Sequence, residues 1–137
     1  HVDIHHIFPK AWCEKHGIGR EIYDSIVNKT PVSARTNRII SARPPSTYLP
    51  ALEKDAGISP EQMDALLATH AIRADLLRTD DFHAFVQDRS ERLLGLIEEA
   101  MGKSIPRDQT RPEGDDAGES VEELLESLDS EIPVAAE

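Results

Sequence analysis

Cysteine is nearly absent from this 137-residue chain, and aromatic residues make up only 4% of it. Its one cysteine, Cys13, excludes an internal disulfide and any four-cysteine zinc site, and suits a reducing compartment, which points to the cytoplasm. No run of ~18 apolar residues is present to span a bilayer, and no basic segment leads into an apolar leader. Membrane insertion and secretion are therefore disfavoured. With 39% hydrophobic residues the chain has less apolar material than a well-packed domain of its size, so part of it is expected to stay disordered. Its length suits one modest domain. The chain opens on His1 rather than Met, inside a strand-like stretch, and reads as a segment of a longer parent.

The net charge of −11 is unevenly spread. Residues 108–137 hold eleven acids against one base, Arg111, for a local charge of −10, whereas residues 1–107 total −1. Within that body residues 1–50 carry +3 and residues 51–107 carry −4. A polyanion would thus be drawn to the N-terminal third and repelled elsewhere.

Residues 1–9, HVDIHHIFP, mix β-branched, aromatic and polar residues and stop at Pro9, which suits a short strand. KAWCEKHG then reads as one or two helical turns closed by Gly17. A second β-like stretch lies around Ile26 to Val32, and Pro31 makes it an edge strand. Arg35 to Ser41 has helical composition and ends at Arg43-Pro44-Pro45. The order is strand, loop, strand, short helix. From Ser46 the periods are helical. Ser59-Pro60-Glu61-Gln62 supplies an N-cap, a proline at the first helical position and a capping-box glutamine, and Met63, Leu66, Leu67 and His70 form the stripe that follows. A longer helix is expected from near Thr79, with Asp80 and Asp81 in its first turn and a buried face of Phe82, Phe85, Val86, Leu93, Leu96, Ile97 and Ala100. Beyond Ser104 the composition becomes Pro, Gly, Asp, Glu and Ser. Domain bounds follow: a body over 1–103, split into about 1–42 and about 46–102, and an acidic, largely disordered tail over 104–137 with a short helix at 120–128.

The chemistry-bearing residues are His5, His6, Asn28 and Asn37, in the run Asp3-Ile4-His5-His6-Ile7-Phe8-Pro9, then Asn28, then Asn37-Arg38 nine residues later. This arrangement resembles the HNH nucleases, also called the ββα-metal or His-Me finger superfamily. There a His-His or acid-His pair on the first strand, often followed by Ile-x-Pro, precedes an Asn on the second strand and a His or Asn on the short helix. Here the helix position takes the asparagine form, as in the HNH domain of some CRISPR effectors. Over residues 1–101, HHIFPK, N-K-T-x-V-S-x-x-T-N-R-x-I, PPSTYL and a tract with Asp81-Phe82 and Phe85 to Arg89 are similar to the C-terminal nuclease half of GmrSD-type modification-dependent restriction and phage-defence proteins.

The resemblance implies an α+β fold: a small ββα-metal (HNH) finger, then a mostly helical C-terminal half and the disordered acidic tail. It implies a metal-dependent endonuclease hydrolysing DNA phosphodiester bonds, with DNA and an upstream nucleotide-hydrolysing domain of the same parent as partners. Hydrolysis needs a base for water, a positive centre for the pentacoordinate phosphate and help for the leaving oxygen. A neutral histidine can be that base, since imidazole titrates near ~6.5. By family position it is His6. One divalent ion would be held by His5 and Asn37; Mg²⁺ is the first choice, and Mn²⁺, Co²⁺, Ni²⁺ or Zn²⁺ also suit an imidazole and an amide. By the same resemblance Asn28 belongs to the catalytic group as the organiser whose amide bridges the loop, with a plain turn or strand-end residue as the equal alternative. Arg38, with Lys29 and Arg35, is placed to hold flanking phosphates.

The alternatives stay open. Adjacent strand residues point to opposite faces, so His5 and His6 share a site only where the strand bends or ends. Asp3 is either an orienting partner of a histidine or a surface acid. Cys13, Trp12 and Tyr48 read as packing residues. A catalytically silent DNA-binding or assembly module on the same scaffold is the rival function, and occupation of the basic third by the acidic tail is a further one.

Overall fold

The computed structural model describes residues 2–106, and the compact unit within it runs to Ser104. The fold is α+β. A strand β1 (Val2–His6) leads through short helices α1 (Lys10–Lys15) and α2 (Arg20–Tyr23) and a 3-10 turn (Ile26–Asn28) to β2 (Lys29–Ser33) and α3 (Ala34–Ile40). Helices α4 (Pro45–Ala56), α5 (Pro60–Thr69), α6 (Ala74–Arg78) and α7 (Phe82–Met101) follow. The expectations of a largely disordered acidic tail and a short helix at 120–128 fall from residue 107 onward, outside the described residues. Among those described, no helix is long and apolar enough to cross a membrane.

The two strands pair antiparallel from Val2 opposite Ser33 to His6 opposite Lys29. Both are edge strands, the setting that tolerates Pro31, which has no N–H to donate. The first strand stops at His6, short of the expected Pro9, because Ile7 and Phe8 bend away into the core. The second starts at Lys29 rather than Ile26, since residues 26–28 wind into the 3-10 turn. The stretch 20–23 is helical, although four residues are too few for a periodic signal.

Local signals explain the helix ends. Ser33 caps α3 by accepting from the Thr36 N–H at 3.1 Å. Ser59 and Gln62 form a reciprocal capping box at 3.1 and 2.8 Å, with Pro60 at the first position of α5. Gly17 after α1, Gly57 after α4 and Gly102 after α7 take positive φ, the conformation that stops a helix most cheaply with glycine. The start of α7 differs from expectation. Asp81 is its N-cap, accepting from the Ala84 N–H at 3.2 Å, and Asp80 lies outside the helix at φ 53°, accepting from the N–H and hydroxyl of Ser46.

The core gathers Ile7, Phe8, Tyr48, Leu49, Leu77, Phe82 and Phe85. Phe8 is fully buried and meets Trp12, Phe82 and Phe85 at ring-centroid distances of 5.1, 5.2 and 5.2 Å. Arg78 ties α6 to α4 through Glu53 at 2.8 Å and to α5 through Asp64 at 2.7 Å. Two expected stripes are only partly used: Leu66 of α5 and Leu96 of α7 are exposed.

Candidate active site

The residue after His6 begins a turn gripped from several sides. Asn28, fully buried, accepts from the Phe8 N–H at 2.9 Å and donates to the Phe8 carbonyl at 3.0 Å and the Tyr23 carbonyl at 2.8 Å. The Ile7 N–H donates to the Asn28 carbonyl at 2.7 Å. Tyr48 of α4 donates to the Ile7 carbonyl at 2.7 Å, and burial pushes its phenol pKa well up, so it stays a neutral donor. These bonds satisfy the backbone of a bend that would otherwise bury unpaired polar groups. The Asn28 amide thus joins the Phe8 backbone to the Tyr23 carbonyl.

Arg89 holds the same region from α7. Its guanidinium is buried and donates to the carbonyls of Val27 and Lys29, each at 2.7 Å, Ile26 at 3.2 Å and His70 at 3.1 and 3.3 Å. Burial lowers its pKa to about 10, still cationic at neutral pH. A cation here meets only carbonyl dipoles among the described residues, so its charge-assisted bonds clamp backbone. Its sequence signal is its place on the apolar stripe of α7, seven residues after Phe82 and four after Phe85.

His6 is half-buried at the last position of β1. Its Nε2 lies 2.9 Å from Asp24 Oδ1, and its ring meets Tyr23 edge-on at 6.0 Å. Lys29, opposite His6 in the ribbon, reaches the same Asp24 oxygen at 3.2 Å, and Arg20 approaches the other at 3.7 Å. The hydrogen bonds from His6 and Lys29 hold the Asp24 carboxyl below the usual range. Asp24 has no motif signal in the sequence; the loop between the strands brings it to His6.

The other expected residues are distributed as follows. His5 pairs with Thr30, whose hydroxyl is 2.7 Å from His70 Nδ1. Strand alternation sends His5 and His6 to opposite faces, since both remain in regular pairing. Asn37 is half-buried on α3, which packs against both strands. Among the described residues no hydrogen bond joins His5, His6 and Asn37 to one another, and the His5 ring and Asn37 amide have no side-chain partner. Two of the expected phosphate contacts are already paired. Arg35 forms a bidentate pair with Asp55 of α4 at 2.7 and 3.1 Å, and Lys29 is held by Asp24. Arg38 is exposed on α3. No group of three or more His, Cys, Asp or Glu side chains suited to a metal exists among the described residues. An imidazole and an amide would supply at most two donors, leaving water and substrate oxygens to complete any coordination shell. Cys13 is buried with its thiol pKa raised to about 11, chiefly by desolvation, as befits a packing residue.

Comparison with known proteins leaves the assignment to these residues. No family model matches the chain, and no solved structure does. An uncharacterized protein of Methanocaldococcus jannaschii is 32% identical over 121 aligned residues, covering 73% of this chain and 21% of that protein. The chain spans about a fifth of the length of that relative.

Proposed function

We propose that this chain is an HNH-type endonuclease domain that hydrolyses DNA phosphodiester bonds, as the nuclease part of a cytoplasmic restriction or phage-defence protein. One observation carries the reading: a strand, loop, strand and helix unit whose buried asparagine fixes the turn after a carboxylate-paired histidine. His6 takes a proton from water, the water oxygen bonds to phosphorus, and the bond to the departing sugar oxygen breaks. A divalent ion, Mg²⁺ first, held by His5 and Asn37, would neutralise charge on the phosphate and the departing oxygen, and this requires the end of the strand to turn so that the His5 ring reaches the His6 face. Arg38 steadies a flanking phosphate. Recognition of modified bases and a nucleotide-hydrolysing partner domain belong to other parts of the parent.

Supercoiled-plasmid nicking with Mg²⁺ or Mn²⁺, on plain, methylated and glucosylated DNA, tests this. Metal-dependent nicking that disappears in His6→Ala is the expected result, and nicking unchanged in His6→Ala overturns it. A second reading, a silent DNA-binding or assembly module on this scaffold, draws support from strand alternation, which separates His5 from His6. It expects metal-independent DNA binding, or assembly with a partner, and no cleavage.

A further inference from the structure

We infer that Asp24 is the positioning residue of this site: it fixes the His6 ring with its proton on Nε2 and so makes Nδ1 the atom that takes the proton from water. The inference rests on the reading of His6 as general base and adds to it the atom that acts and the residue that selects it.

A neutral imidazole carries one proton, and which nitrogen holds it follows from the hydrogen bond made by the other. Asp24 Oδ1, 2.9 Å from Nε2, is a carboxylate oxygen and can only accept, so the proton sits on Nε2. The lone pair is then on Nδ1, which has no hydrogen-bond partner among the described residues. Lys29 strengthens the choice. Its ammonium lies 3.2 Å from the same Oδ1, so the carboxylate is kept charged and that oxygen is kept beside His6. Register makes the arrangement reproducible: Lys29 opposes His6 across the ribbon, and Asp24 follows the last residue of α2 on the loop that Asn28 ties down. The edge-on contact with Tyr23 restrains the ring plane. His5, one residue earlier, has no such carboxylate among its described contacts, which distinguishes the oriented histidine from the free one.

Lys29 also predicts how the isosteric variant behaves. In Asp24→Asn the ammonium selects the amide oxygen for the Oδ1 position, so the Nε2 proton keeps its acceptor. Asp24→Leu removes the acceptor while keeping the branched shape of the side chain.

The test is long-range ¹⁵N correlation NMR on the full chain at mildly alkaline pH, joined to plasmid-nicking kinetics and DNA-binding titrations for wild type, Asp24→Asn, Asp24→Leu and His6→Ala. The expected result is a His6 proton on Nε2 in wild type and Asp24→Asn, and a mixture of the two forms in Asp24→Leu. Turnover should fall by roughly 10- to 100-fold in Asp24→Leu, with KM and DNA affinity near wild type and substantial rescue in Asp24→Asn. A wild-type proton on Nδ1, or an Asp24→Leu chain that keeps both the Nε2 form and full turnover, overturns the inference. If His6→Ala cleaves as wild type, the general-base reading fails by itself, and the NMR result still decides whether Asp24 orients the ring.

Discussion

The N-terminal region, residues 2–40, and the helical region, residues 45–101, are held together by different means. Among helices α4 to α7, α5 has a capping box, α4 and α7 end in glycine stops, and together they supply Tyr48, Leu49, Leu77, Phe82 and Phe85 to the core. The N-terminal region is a two-stranded ribbon with short helices, and such a ribbon is at best marginally stable by itself. It persists because Phe8 inserts between rings of α7, Arg89 clamps the carbonyls of Ile26, Val27 and Lys29, and Tyr48 donates to the carbonyl of Ile7. One region provides the scaffold, and the other carries the polar groups that a packed core would exclude. Separating stability from reactivity in this way lets His6, Asp24 and Lys29 stay half-exposed at little cost to the core.

That division breaks if changes in the two regions have the same effects. The largest expected effect is in the ribbon: His6→Ala should cut plasmid nicking by about 10²- to 10⁴-fold. Its urea midpoint should stay close to wild type, because the His6–Asp24 contact is solvent-facing. Arg89→Met should do the opposite. It leaves the carbonyls it served without their donor, and should cost roughly 3 kcal/mol or more in urea unfolding while the residues that would react with DNA remain intact. Unfolding should remain a single transition in tryptophan fluorescence and in ¹⁵N exchange, and a separate early melting of the ribbon would show that the clamp does not couple the regions.

Asn28→Ala sharpens the comparison because the residue serves both sides. Loss of three buried hydrogen bonds should cost roughly 2 to 3 kcal/mol, with a fall in turnover larger than the loss of stability at the assay temperature explains. Smaller effects are expected of the cations. Arg38→Ala should weaken DNA binding uniformly across sequences and reduce the salt slope by about one, whereas Lys29→Met should act on turnover and leave that slope nearly unchanged. The smallest is a pH effect in the link between α3 and α4. The hydrogen bond from Arg35 lowers the Asp55 pKa, so the pair stabilises the fold above the ordinary carboxylate range, and this is lost as pH falls through the lowered value. Asp55→Asn should flatten that part of the acid limb in thermal melts, and an unchanged limb would mean the pair contributes nothing.

Much of the architecture was legible from residues close in sequence. The strand ending before Pro9, the turn closed by Gly17, the edge strand with Pro31 and the helix begun by Ser59 depend on dihedral preferences and caps acting over three or four residues. Boundaries moved where tertiary contacts intervened: Ser46 takes Asp80 out of the first turn of α7, and burial of Ile7 and Phe8 ends β1 early.

The sequence by itself determined the period of each long helix, the positions of the caps, and which residues are chemically able to act: two histidines, two asparagines and a local excess of cations. These depend on covalent chemistry and short-range sterics, and a chain carries them before it folds. Only the tertiary structure decided which of them are free. It gave Lys29 to Asp24 and Arg35 to Asp55, set carbonyls of residues 26, 27 and 29 against the cation on the apolar stripe of α7, and brought Asp24 to His6 from eighteen residues away. Those choices depend on distances between elements far apart in the chain, and local preference does not encode such distances until the core has packed.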